Sequence, residues 1–269
     1  MTHQQSKHAI APRRGPIAGL PAVLIAFGAA LMMLLATGSA PALAQKYGGV
    51  LKAVHRENPP SLLAHEWATM SASWPVLPVY NNLITYNPDH PVDSADDLVG
   101  ELAEKWAWSD GGKTLTFTLR RGVTWHDGKP FTAADVKYTF DLVRGAHPDK
   151  KLRSSPRKLW FSQVASITTN GDHEVSFHLK RPQPSLLSML ASGYMMVIPE
   201  HVDLVSLRTT AVGTGPFKLK EYVIEQQIVL EKNPNYFVKG RPFLDGIMYT
   251  IIRDASARAA AQLPACRLS

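Results

Sequence analysis

The stretch LTFTLRRGVTWHDGKPFTAADVKYTFD, residues 115–141, carries three kinds of local signal in succession and decides the fold. Its first five residues alternate between apolar and polar side chains, the period-two pattern that predicts a half-buried strand. Residues 126–129 then supply the signal of a tight turn that contains a glycine. Thr132 stands three residues before Asp135, the spacing of an N-terminal helix cap, and apolar residues recur at helical spacing until Gly145. The stretch therefore predicts a strand, a turn and a helix in that order.

The rest of the chain also predicts an α/β organisation with many short strands. Alternating residues 175–179 predict a second strand, which fits an antiparallel sheet beside the strand at 115–119. Short helices are predicted at 71–82, where two prolines confine or kink the helix, and at 185–191. Further strands are predicted at 50–54, 83–86, 195–198, 218–222, 228–231 and 247–252.

The N-terminal 44 residues have the organisation of a cleavable secretory signal peptide. Three basic residues precede an apolar run at 17–36, and Ala42-Leu43-Ala44 supplies the small residues of a cleavage site before Gln45. The alternative is a transmembrane anchor, because the apolar run is close to the length of a span. The glycines, the proline and the small residues that end the run favour cleavage.

Composition limits the possible partners. The whole chain has 29 Lys and Arg against 22 Asp and Glu, and the signal peptide takes three of the basic residues and no acidic one. The remaining excess of four positive charges does not indicate nucleic acid. The basic run KKLRSSPRK at 150–158 is predicted to be a solvated loop, because one proline precedes it and another interrupts it. Cys266 is the only cysteine of the chain, so no disulfide forms within it.

Motifs for catalysis and for cofactor or metal binding are incomplete. His65-Glu66 lacks the second histidine of a zinc-binding helix, since Thr69 stands at that position. His126-Asp127 lies in the predicted turn and is interpreted as part of that turn. Gly213-Thr214-Gly215 is followed by Pro216, which does not open a helix, so a turn with close backbone approach is favoured over a dinucleotide site. We expect no enzyme, no metal and no cofactor, and a secreted hydrolase remains the alternative.

Several of these segments together carry a family resemblance. The long stretch is preceded by AEKW at 103–106 and followed by GTGPFKL at 213–219 and LEKNPNYF at 230–237. This set resembles the family 5 solute-binding proteins of ABC importers, the peptide, dipeptide and nickel binders of the bacterial periplasm. The resemblance covers residues 48–258.

The resemblance implies an α/β fold of the class II periplasmic binding protein type, similar to dipeptide-binding proteins, in which two lobes close over the ligand. The first lobe would start at 45–66, carry an inserted mixed β subdomain at 67–181 and return through 182–261. In the family a second lobe follows, and it is expected to be missing here. Residues 262–269 are interpreted as an aberrant or truncated tail, produced by a frameshift or a truncated gene. A non-functional fragment is therefore a further alternative.

The resemblance also implies a function. The chain would be a periplasmic, non-enzymatic component of an ABC importer that captures peptides or a peptide-sized solute and delivers it to an inner-membrane permease, with no nucleic acid partner. Ser61-Leu62 keeps the first half of the family's Ser-Leu-Asp-Pro-like tetrad. The ligand-binding residues implied by position, together with two aromatic residues of a type common in small-ligand pockets, are Ala68, Thr69, Met70, Trp74 and Tyr194. For Met70 a place in the core is the competing interpretation.

Overall fold

The structure, a computed structural model, describes residues 47–265. The predicted signal peptide and the end of the predicted tail lie outside these residues. The strands are β1 (Val50–His55), β2 (Ile84–Tyr86), β3 (Leu98–Gly100), β4 (Ala103–Ser109), β5 (Thr114–Leu119), β6 (Val164–Thr169), β7 (Glu174–Leu179), β8 (Phe217–Val223), β9 (Gln227–Lys232) and β10 (Gly246–Ile251). The α-helices are α1 (Met70–Ser73), α2 (Ala133–Val143), α3 (Leu186–Ala191) and α4 (Ala255–Ala265).

The stretch at 115–141 forms the predicted strand, turn and helix. β5 pairs antiparallel with β7, and Leu115 lies opposite Phe177 in the register. At the start of α2 the backbone N–H of Thr132 donates to Oδ2 of Asp135 at 2.9 Å, as the capping spacing predicts. The same buried carboxylate also accepts hydrogen bonds from the indole of Trp125 at 3.3 Å and from the backbone N–H of Glu200 at 2.9 Å. Asp135 therefore caps the helix and fixes two loops beside it.

The sheet around β5 holds the first of two hydrophobic cores. Its strand order is β4-β5-β7-β6, and α2 packs on it through Phe140. The Phe140 ring lies 5.3 Å from that of Phe177 and 5.4 Å from that of Phe161, in the tilted or edge-on arrangements that aromatic pairs favour. The sequence did not predict β4 and β6, because each contains a register shift that breaks the two-residue period.

A second sheet, with strand order β1-β10-β9-β8, contains the parallel pair β1 and β10. The carboxyl ends of these two strands therefore meet at one edge of the sheet. Ile228, Leu230 and Ile247 on this sheet belong to the second core, to which α2 also contributes Tyr138 and Leu142. Thus α2 is buried on two faces and joins both cores. The domain boundaries predicted at 67 and 181 stay a prediction.

Two predictions in the connecting segments had different outcomes. The prolines at 71–82 confine the helix as expected, because α1 has four residues and a 3-10 helix, Trp74–Val79, follows it. The strand predicted at 195–198 is wrong. These residues are buried, but they form no strand, and the backbone N–H of Val197 donates to the carbonyl of Asn81 at 2.9 Å.

The turn at Gly213 has the close backbone approach that its glycines predict. A Cβ atom on Gly213 would lie 1.9 Å from the carbonyl oxygen of Val79, and one on Gly215 would lie 2.6 Å from it. The backbone N–H of Gly215 donates to that same oxygen at 2.8 Å. Only glycine fits at these two positions, because any side chain would displace the backbone of the 3-10 helix. Across residues 47–265, no helix has the length and apolar character needed to cross a bilayer.

Candidate functional site

The segment Trp67–Trp74 lies beside the edge where β1 and β10 end. His55 is the last residue of β1, and its Nε2 lies 3.1 Å from the carbonyl oxygen of Ser71. This contact ties the segment to the end of the strand. In open α/β sheets ligands bind in the crevice outside the carboxyl ends of parallel strands. The topology therefore makes this segment the candidate site.

The backbone of the segment is extended at Trp67 and Thr69, before α1 begins at Met70. Trp67 has φ −127° and ψ 144°, and Thr69 has φ −90° and ψ 147°. No hydrogen bond among the described residues uses the backbone N–H of Ala68, Thr69 or Met70, and all three residues are exposed. Unpaired N–H groups on an extended, exposed segment can pair with the carbonyl oxygens of an added extended chain.

Four of the five predicted site residues lie on this segment, and three of these four border one of two cavities. Met70 and Trp74, with 43% and 53% of their surface exposed, border a cavity of about 340 Å³ together with His55 and Arg258. Ala68 borders a second cavity of about 750 Å³, which we call the Arg153 cavity. Thr69 is exposed and lines neither cavity. Met70 is therefore a surface residue, and its competing interpretation as a core residue is not supported.

Arg157 connects the segment to the fifth predicted residue, Tyr194. Its guanidinium donates to the carbonyl oxygens of Trp67 at 2.7 Å and of Ala68 at 3.3 Å, and lies 3.5 Å from the centre of the Tyr194 ring. Arg157 is only 5% exposed, and it forms no ion pair with any carboxylate in residues 47–265. Burial lowers the pKa of Arg157, and the interaction with Tyr194 partly opposes that shift.

The arginine thus holds two carbonyl groups of the segment and leaves the neighbouring N–H groups free. Sequence reasoning missed this role, because the run at 150–158 was predicted to be solvated as a whole. The run is a loop up to Arg157, and Lys151 and Arg153 are exposed, yet Arg157 is buried. Its partners are 89 and 90 residues away along the chain, a separation that no local pattern reveals.

A buried ion pair lies below the Arg153 cavity. Glu66 accepts two hydrogen bonds from Arg208, at 2.7 and 3.0 Å, and a third from the backbone N–H of Arg153 at 2.9 Å. Burial alone would raise the pKa of Glu66, but the hydrogen bonds from Arg208 and from the Arg153 backbone outweigh it and hold the pKa below its usual value. The carboxylate is therefore ionised and fully engaged, and it joins three separate segments.

His65 fixes the start of the segment from the other side. Its Nε2 lies 2.7 Å from the carbonyl oxygen of Met196, so this nitrogen carries the proton and donates. The side chain is buried, and burial lowers the pKa of His65 to about 4. The imidazole is thus neutral near pH 7. It serves as a hydrogen-bond donor inside the fold and belongs to the short 3-10 helix Ala64–Glu66, which leads into the segment.

The histidines and acids elsewhere in the described part of the chain form no metal cluster: no group of three or more His, Cys, Asp or Glu side chains converges there. His126 and Asp127 lie in the turn, as interpreted from the sequence. The carboxylate of Asp127 pairs with Nε2 of His201 at 2.7 Å, and Nε2 of His126 lies 3.0 Å from the carbonyl oxygen of Gly215. These contacts hold the turn in place.

Comparison with known sequences assigns the family. Residues 97–263 match the bacterial extracellular solute-binding proteins, family 5, middle part. The chain belongs to this family. A putative ABC transporter peptide-binding protein of Brucella ovis is 33% identical over 205 residues, 72% of this chain and 36% of that protein. The dipeptide-binding protein of Escherichia coli is 30% identical over 204 residues, 68% of this chain and 37% of that protein.

Solved structures show the same fold. A dipeptide-binding protein from Pseudoalteromonas in complex with Met-Leu has a TM-score of 0.69 at 27% identity, over 80% of this chain and 45% of that one. The oligopeptide-binding protein AppA of Bacillus subtilis in complex with a nonapeptide has a TM-score of 0.68 at 28% identity, over 81% of this chain and 42% of that one. The class II, dipeptide-binding-protein-like fold implied by the sequence is therefore confirmed. The chain spans little more than a third of the length of its curated relatives and under half of these structures.

Proposed function

We propose that the chain is the solute-binding component of an ABC importer for peptides, and that the segment Trp67–Trp74 forms one wall of its binding cleft. The observation that carries the proposal is the exposed backbone at 67–70, which is extended up to Thr69 and in which the N–H groups of Ala68, Thr69 and Met70 have no partner in the described residues. A peptide suits such a segment, because an added extended chain pairs its carbonyl oxygens with the N–H groups that face it, those of alternate residues.

The surroundings of the segment support a peptide further. Cavities lie on both sides of it, of about 340 and 750 Å³, and each is large enough for a side chain. Side chains of an extended peptide point alternately to opposite sides, so one backbone pairing would present them to both cavities. Trp74 and Met70 supply an apolar, adaptable surface, while Tyr194 acts indirectly by packing under Arg157.

The side chains around the segment favour binding over catalysis. His55, His65 and Glu66 are each engaged with a backbone group or with Arg208. The hydroxyl of Ser71 interacts with Glu57 and lowers the pKa of that carboxylate, which makes Glu57 a weak base for the activated nucleophile that the hydrolase alternative requires. We therefore propose a non-enzymatic protein, exported by the signal peptide at 1–44, that delivers its solute to an inner-membrane permease.

A peptide pool tests the binding proposal. The protein is expressed from its complete coding region, its thermal unfolding is measured with and without the pool, and the pool is analysed by mass spectrometry afterwards. The expected result is a higher unfolding temperature through mass action with every peptide intact. Loss of any peptide would favour the hydrolase, and an unchanged unfolding temperature at millimolar peptide would contradict the proposal.

A further inference from the structure

The Arg153 cavity combines charge and apolar surface in an arrangement that the backbone pairing does not use. It lies between three segments, which contribute Trp67 and Ala68, Arg153 and Pro156, and Val205 and Arg208. At about 750 Å³ it exceeds the space that one amino-acid side chain needs. It is lined by Ala68, one of the three residues whose backbone N–H groups have no partner in the described residues.

The charge of this cavity is positive. Glu66 is the one acidic residue among those that line it, and its two oxygens are taken by Arg208 and by the backbone N–H of Arg153. The Arg153 side chain, in contrast, is exposed at the cavity wall and forms no ion pair or side-chain hydrogen bond within the described residues. One guanidinium thus remains available to an anion, with the buried cation of Arg157 behind the same wall.

Apolar surface lies beside that charge. Pro60, Trp67, Pro156 and Val205 line the cavity, and like Arg153 they are exposed, so a peptide bound there would cover them together with the guanidinium. A planar guanidinium binds a carboxylate through two parallel hydrogen bonds, a geometry that a lysine in the same loop could not reproduce.

The geometry points to a carboxylate-binding subsite in the Arg153 cavity, in which Arg153 receives a carboxylate of the bound peptide. This inference rests on the proposed peptide-binding function and adds to it a substrate class, peptides with an acidic side chain or a free C-terminal carboxylate placed beside Ala68. Arg208 is the positioning residue, because it engages Glu66 and keeps that carboxylate from pairing with Arg153.

The test uses alanine pentapeptides with a single Glu at each position in turn, and the same set with Gln. Each peptide is made with a free and with an amidated C-terminus, which separates the two sources of carboxylate. Binding is measured by calorimetry on the complete gene product and on the variants Arg153→Gln and Lys151→Gln. Lys151 is the matched control, because it is an exposed cation of the same loop that does not line the cavity.

The expected result is a preference of about tenfold for Glu over Gln at one position, or for the free over the amidated terminus, as a charge-assisted hydrogen bond provides. Arg153→Gln should remove the preference, and Lys151→Gln should keep it. Peptide binding without any charge preference, or a preference that survives in Arg153→Gln, would overturn the subsite and leave the proposed function intact. Absence of binding by every peptide would overturn both.

Discussion

Acid should destabilise this fold through His65, a histidine whose side chain is buried. Its pKa is lowered by burial to about 4, against about 6.5 in an unfolded chain. Because the folded value is the lower one, the stabilising contribution is complete above pH 6.5 and is lost as the pH falls from 6.5 towards 4. Between pH 7 and pH 5 the loss from this one residue is about 2 kcal/mol in the free energy of unfolding.

The variant His65→Gln isolates this contribution. Glutamine keeps a donor for the carbonyl of Met196 but does not titrate, so its stability should fall by about 2 kcal/mol less than that of the parent between pH 7 and pH 5. His126, whose pKa burial also lowers to about 4, leaves some acid sensitivity in both proteins.

Urea denaturation followed by tryptophan fluorescence at pH 7, 6 and 5 gives the required free energies. The control is Lys151→Gln, which replaces an exposed side chain of a loop and should leave the pH dependence close to that of the parent. Equal losses of stability in His65→Gln and in the parent would refute the argument, because burial of a neutral imidazole would then not be the cause.

Two further substitutions test the packing around the site. Arg157→Lys should lose the two hydrogen bonds from the guanidinium to the carbonyl groups of Trp67 and Ala68. We expect the free energy of unfolding, measured by urea denaturation, to fall by about 2 kcal/mol. A fall of less than about 0.3 kcal/mol would contradict the buried role of the guanidinium. Gly213→Ala places a methyl group 1.9 Å from the carbonyl oxygen of Val79, so we expect the free energy of unfolding to fall by several kcal/mol or the protein to be insoluble. A thermal unfolding temperature equal to that of the parent would show that the backbone at Gly213 has room for a methyl group.

The sequence predicted the strands and the helix that are determined by neighbouring residues. β5 and β7 alternate regularly because one face of each is buried, and α2 was found from its cap at Asp135. The register shifts in β4 and β6 hide the same signal in those strands. The apolar run at 195–198 indicated burial correctly, but burial alone does not distinguish a strand from a coil in the core.

In the candidate site, too, the sequence predicted what depends on local position and missed what depends on distant contacts. Counting along the chain from Ser61 placed Ala68, Thr69 and Met70 on one exposed segment, although their role in binding stays a proposal. Arg153 was treated as a solvated charge and its side chain is exposed, but Arg157 was treated in the same way and is buried, because the carbonyl groups it holds lie 89 and 90 residues earlier. Contacts over such distances follow from the fold and leave no trace in the spacing of residues.

Hydrogen exchange measured with and without a bound peptide tests the central claim most directly, namely that the backbone at 67–70 binds the solute. The complete gene product is saturated with a peptide selected from the pool, and exchange at individual amides is followed by mass spectrometry. We expect slower exchange at those N–H groups of Ala68, Thr69 and Met70 that face the peptide, because a paired amide must open before it exchanges. A saturating peptide that leaves these three amides unchanged while slowing exchange elsewhere would contradict the claim.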